Sequence, residues 1–189
     1  MTALDFAVVA GRVEPHAATP TLMLTLRLAA DRPLEGVALR CQLRLEPQRR
    51  GYAPGEAERL CELFGPSARW PQTLRPLNWA ETSLFVPAFS DETAVELAVP
   101  CSYDLEVSAA KYFHSLESGD VPVRLLFRGT LFGRGEHGLE LTPLPWDREA
   151  VWRLPVRLWR ELMDAYFPDA GWLRLRRETL DALLCFKGR

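Results

Sequence analysis

Lysine is almost missing from this sequence: Lys111 and Lys187 are the only two among 23 basic residues, so its cations are nearly all arginines. That skew points first to a GC-rich coding sequence, although arginine's planar fork also suits interfaces better than lysine does. A surplus of either charge is missing too. With 23 basic residues against 25 acidic ones and a net charge of -2, no long-range field gathers nucleic acid or an anionic membrane. No apolar run approaches the ~20 residues of a membrane span. The N-terminal MTALDFAVVAGRVEPH lacks a basic segment followed by a long apolar stretch. The expectation is a cytoplasmic protein that binds neither nucleic acid nor membrane.

Metal and redox motifs are equally scarce. The four cysteines, Cys41, Cys61, Cys101 and Cys185, form no C-x-x-C pair and have no histidine at zinc-ligand spacing, so neither metal nor cofactor is expected. Cys41 with Cys101 is the best case for a disulfide, because both fall in the inward phase of expected strands. The remaining immunoglobulin hallmarks fail: Val99 stands where a tyrosine is needed, and no tryptophan follows the first cysteine on its strand. Buried free thiols in a reducing compartment fit better. No G-x-S-x-G elbow, H-E-x-x-H or lysine-bearing glycine loop occurs. The segment 129–135, GTLFGRG, is rich in glycine, but an alternating segment follows it rather than a helix. It therefore suits a hairpin connection and not a phosphate loop.

What the chain does have is alternation. Leu22, Leu24, Leu26 and Leu28 share one phase, and Val37, Leu39, Cys41, Leu43 and Leu45 share another, with Arg40, Gln42, Arg44 and Glu46 outward. The two segments read as the arms of an antiparallel hairpin. An earlier strand is expected over 4–9, and others over 83–89 and over a long run from Val95 to Val107, on which Asp104 and Glu106 face outward. A further hairpin has a first arm reaching Leu116, a turn at 117–120, and a second arm with Val121, Val123, Leu125 and Phe127 inward and Arg124 and Arg128 outward. Lys111 then falls on an inward phase, which marks a sheet edge or a bulge. A last strand pair is expected over 139–141 and 150–153.

Residues 47–77 break the pattern with five prolines and three glycines, a long insertion in which GEAERLCELFG reads as one short helix with Leu60, Leu63 and Phe64 on its apolar stripe. After Pro155 the period changes. Val156, Trp159, Leu162, Met163 and Tyr166 recur at three and four, and a second helix from about 177 to 186 places Leu180, Leu183 and Leu184 on one face. The expected architecture is mainly β with α: an antiparallel β-sandwich, immunoglobulin-like in broad outline, over 1–154, with the 47–77 insertion. A C-terminal helical hairpin over 155–189 packs on it. The core should include Leu24, Leu26, Leu39, Leu43, Leu97, Val107, Val123, Leu125 and Phe127.

Catalytic constellations are absent, which leaves binding. The segment Glu46 to Tyr52 presents Arg49, Arg50 and Tyr52 at the mouth of the insertion, residue types enriched at interface hot spots, although a salt-bridged loop anchor explains them too. Trp70, in the insertion, and the basic stretch Arg174, Arg176 and Arg177 beside Trp172 complete the candidate partner-binding set. Trp79 leads into a strand and is expected to pack inward. The different-class alternative is a metal-carrying or enzymatic protein using Cys61, His114 or His137, brought together by the fold.

Three long segments, LRCQLRLEPQRRGY, CSYDLEVSAAKYFHSLESGDVPVRLLFRGTLF and LWRELMDAYFPDAGWLRLRRETLDALL, resemble a bacterial family defined as a domain of unknown function. The resemblance implies a gene neighbourhood with actinobacterial-type nickel-iron hydrogenases. By association it implies a non-enzymatic maturation or assembly role, with a hydrogenase subunit or another accessory protein as partner. It carries no catalytic or binding residues onto this chain.

Overall fold

Leucine-rich alternation builds two antiparallel sheets that face each other across one apolar core. The computed structural model describes residues 4–101, 107–136, 138–169 and 175–187. The smaller sheet has the order β1 (Leu4–Glu14), β2 (Thr21–Ala30) and β5 (Glu92–Pro100). The larger has the order β4 (Leu77–Phe89), β3 (Leu34–Leu45), β6 (Asp120–Gly135) and β7 (Gly138–Pro143), and β8 (Glu149–Pro155) also pairs with β6. The 16 residues of β6 serve two partners in succession, β8 along its first half and β7 along its second.

The sandwich stands as expected, but several connections differ. β2 and β3 do not form a hairpin. They lie in different sheets, so Leu22 to Leu28 and Val37 to Leu45 meet across the core instead of side by side. Period-two alternation marks the face a strand buries, and both arrangements bury the same leucines. Likewise 139–141 and 150–153 each pair with β6 and not with one another. Residues 129–135 belong to β6 itself, and the turn follows Gly135.

The long strand expected over 95–107 ends at Pro100, and Val107–Ser115 is a helix, α4 once the three short insertion helices described below are counted. Ala109, Ala110, Tyr112, Phe113 and Ser115 are its buried residues, and Leu116, just past its end, is buried too, so that Ala109, Tyr112, Phe113 and Leu116 recur at three and four. Val107, expected in the core, is exposed, and Lys111 reaches out to pair with Glu62. Asp104 and Glu106 lie outside the described residues. The other expected core residues are buried, with Phe6 stacked on Phe127 at 4.0 Å between the sheets.

The 47–77 insertion holds three short helices instead of one: α1 (Pro54–Arg59), α2 (Cys61–Phe64) and α3 (Trp70–Thr73), with 3-10 turns at Pro47–Arg49 and Ser67–Arg69. The chain breaks at Leu60, which together with Phe64 is buried against α4, and Gly65 ends α2 at φ 73 as a glycine can. At the C-terminal end, α5 (Val156–Tyr166) packs Val156, Leu158, Trp159 and Leu162 into the core. By contrast α6 (Arg177–Lys187) lies with residues 177–186 exposed, so the expected packing of both helices holds for α5 alone.

Gly129 shows how tightly β3 and β6 approach. A Cβ there would lie 2.0 Å from the Ala38 carbonyl oxygen, a backbone atom that no rotamer change can move. Gly129→Ala is expected to cost about 1–3 kcal/mol through this overpacking. Urea unfolding checks it: the midpoint should fall with an unchanged slope, and an unchanged midpoint would contradict the contact.

Candidate partner-binding surfaces

Arg50 and Tyr52 are turned inward. The Arg50 side chain is only 9% exposed, and its Nη2 donates to Glu56 Oε1 and to the Ser118 carbonyl, each at 2.7 Å. Glu56 is buried and also accepts from the backbone N–H groups of Ala53 at 3.1 Å and Glu117 at 2.7 Å. Burial pushes the Glu56 carboxyl up, but hydrogen bonds from the Glu117, Ala53 and Ser118 N–H groups and the Arg50 charge outweigh it and hold the group below its ordinary value.

Tyr52 donates to the Pro47 carbonyl at 2.7 Å and lies 2.8 Å from the Tyr112 hydroxyl. Its single hydrogen is committed to Pro47, so Tyr112 donates to it. Burial raises both phenols, Tyr112 to about 12, so neither ionises near neutrality. Trp70 meets the Tyr52 ring edge-on at 5.1 Å and donates from Nε1 to the Gly65 carbonyl at 3.0 Å. These contacts tie the insertion to α4 and to the start of β6, the loop-anchor role. Of the three candidate residues in this loop Arg49 is the exposed one, 3.2 Å from Glu46, and Glu46, expected outward, is buried at the end of β3.

Of the C-terminal basic residues, Arg176 and Arg177 are exposed, with Arg177 3.8 Å from Asp181, while Arg174 and Trp172 lie outside the described residues. On the same helix Leu180, Leu183, Leu184 and Phe186 are all exposed, Phe186 to 82%. Trp79 packs inward as expected, 5.5 Å from Phe113.

For the alternative chemistry, Cys61 is exposed on α2 and His114 on α4, where partial burial lowers the His114 pKa and favours its neutral form. His137 lies outside the described residues. Among the described residues no group of three or more His, Cys, Asp or Glu side chains could hold a metal ion. Cys41 and Cys101 are free thiols, each pushed by burial to about 12.

The outward-facing arginines of β3 and β6 were individually legible in the alternation, but their pairing was not. Register sets Arg40 directly opposite Arg128 and Arg44 directly opposite Arg124. On the same face Phe85 of β4 lies over Gly36 and meets Phe132 of β6 at 6.0 Å, and Phe132 stands opposite Leu141 of β7.

The model of a family of unknown function, DUF6084, matches residues 1–189. No curated protein matches the sequence. Among solved structures, a β-glucosidase from Kluyveromyces marxianus is similar at 7% identity and a TM-score of 0.32, over 80% of this chain and 15% of that one. β-Glucosidase 3B from Thermotoga neapolitana, solved in complex with α-D-glucose, is similar at 14% identity and a TM-score of 0.28, over 80% and 17%. The chain thus spans about a sixth of the length of those enzymes. Among the described residues no helix is long and apolar enough to cross a membrane.

Proposed function

We propose that this chain, which belongs along its whole length to the DUF6084 family of unknown function, is a non-enzymatic accessory factor that acts in the cytoplasm by binding protein. It serves the assembly or maturation of a nickel-iron hydrogenase, without a cofactor of its own.

Helix α6 carries the binding part of this reading. Its Leu180, Leu183, Leu184 and Phe186 are 44–82% exposed, although each costs free energy to leave in water. An amphipathic helix whose apolar residues recur at three and four, and which its own fold leaves uncovered, is the form that inserts into a partner's groove. The exposed Arg176 and Arg177 at its start add the polar rim of such a contact. The hydrogenase part rests on the sequence resemblance of 39–52, 101–132 and 158–184, which implies a gene neighbourhood with those enzymes.

Deleting the gene tests it: assembled hydrogenase should fall while the hydrogenase transcript persists, and normal assembly in the deletion strain would overturn the reading. Stoichiometric nickel, iron or zinc retained by the purified protein would replace it with a metal carrier using Cys61, His114 or His137.

A further inference from the structure

We propose that the outer face of the larger sheet is a docking surface for an acidic protein segment that carries apolar residues between its carboxylates, an inference that rests on the protein-binding reading above. Like charges directly opposite each other on neighbouring strands are destabilising. This sheet nevertheless holds two such pairs, Arg40 against Arg128 and Arg44 against Arg124. Arg153 of β8, exposed on the same face, extends the cationic surface, since its neighbour Val151 two residues back stands opposite Arg124.

Internal carboxylates answer this charge only in part. Glu81 pairs with both Arg40, at 2.6 Å, and Arg128, and Arg124 is shared between Glu46, at 2.8 Å, and Glu149. Five arginines therefore meet three glutamates. The surplus falls on Arg44 and Arg153, neither of which has an ion-pair partner among the described residues, and Arg44 Nε is buried with no hydrogen-bond acceptor. A donor left orphaned in a half-buried position lowers stability. In a chain whose net charge is -2, such a local positive excess is accounted for by a ligand that brings the missing carboxylates.

The apolar requirement comes from the other wall of the same face. A shallow trough over Ala38, Gly129 and Thr130 is lined by Arg40 and Arg128, and on the same face Phe85, 60% exposed and opposite Ala38, and Phe132, two residues beyond Thr130, stand beside it as an apolar wall. Leu141, 59% exposed, continues the apolar wall onto β7. A segment with an apolar side chain over the small residues and carboxylates over the arginines satisfies both walls, whereas a bare polyanion satisfies one.

Fluorescence anisotropy with a labelled synthetic peptide that alternates glutamate and leucine is the test, beside its lysine-for-glutamate counterpart and an RNA homopolymer. The full chain should bind the acidic peptide alone, less tightly as salt rises. Arg44→Gln with Arg153→Gln should weaken it about tenfold. These arginines have no ion-pair partner among the described residues, so the double variant should melt at or above the wild-type temperature, which separates lost binding from lost fold. Equal binding of both peptides, RNA bound as tightly as the acidic peptide, or an unaffected double variant would overturn the proposal. The gene deletion reads hydrogenase assembly without reference to this face, so the two proposals fail separately.

Discussion

Glu56→Ala is expected to lower the melting temperature more than any single change at the protein surface. It removes the partner of a guanidinium that is 91% buried, together with the acceptor for the Ala53 and Glu117 N–H groups. Breaking a buried pair from one side costs about 3–5 kcal/mol, because the surviving charge stays buried without compensation. In a chain of this length that corresponds to roughly 6–20 °C. Glu56→Gln keeps one acceptor for the N–H groups and should fall in between. The same carboxylate sets an acid limit. Its folded pKa lies below its ordinary value, so its stabilisation is complete above the ordinary carboxylate range and is lost as pH falls through the lowered folded value. Circular-dichroism melts across that range should show a steep acid limb in the wild type and a flatter one in Glu56→Ala. A variant that melts within a degree or two of wild type would show that the insertion is held by other contacts.

Phe113→Ala is the second large effect. The ring is 1% exposed, stacked on Trp159 of α5 at 4.4 Å and tilted against Trp79 of β4 at 5.5 Å, so one side chain joins three elements. Truncation removes the buried area and leaves a cavity between two indoles too large to collapse, at a cost of about 3–5 kcal/mol. Phe113→Leu, which preserves most of the volume, should cost less than about 1.5 kcal/mol. Urea unfolding measures the difference. A red-shifted tryptophan emission in the folded alanine variant would place the loss at Trp79 and Trp159. Equal stability of the alanine and leucine variants would mean that the site repacks.

The helix carrying Phe113 is also where reading the sequence by period went astray. Val107, Ala109 and Phe113 fit the alternation of a strand, with Lys111 the one residue out of phase. Ala109, Tyr112, Phe113 and Leu116 fit a helix equally well, and the misfit of Lys111 was the signal that could have decided between them. Short apolar runs carry both periods at once. The segment becomes a helix because β5 ends at Pro100 and a helix lets Tyr112 pack on Phe64 while Phe113 packs on Trp79 and Trp159. For a related reason the sequence leaves the 46–52 loop open between an anchor and an interface. Arg50 and Tyr52 have the residue types of an interface, and only folding brings Glu56, Glu117 and Tyr112, distant in sequence, close enough to absorb them.

Alternation alone determined which leucines enter the core, because a strand with a period of two can bury only one phase, and the change to a period near 3.6 after Pro155 determined the C-terminal helices. It could not determine which strands are neighbours. Placing β2 and β3 in one sheet or in two buries the same side chains, and the choice rests on long-range pairing of β2 with β5 and of β3 with β6. That pairing also fixed the register that sets Arg40 against Arg128 and Arg44 against Arg124. Thus the cationic face, made of residues each visible in the sequence as an ordinary outward arginine, exists only in the tertiary structure, since charge density on a sheet depends on which residues stand opposite one another.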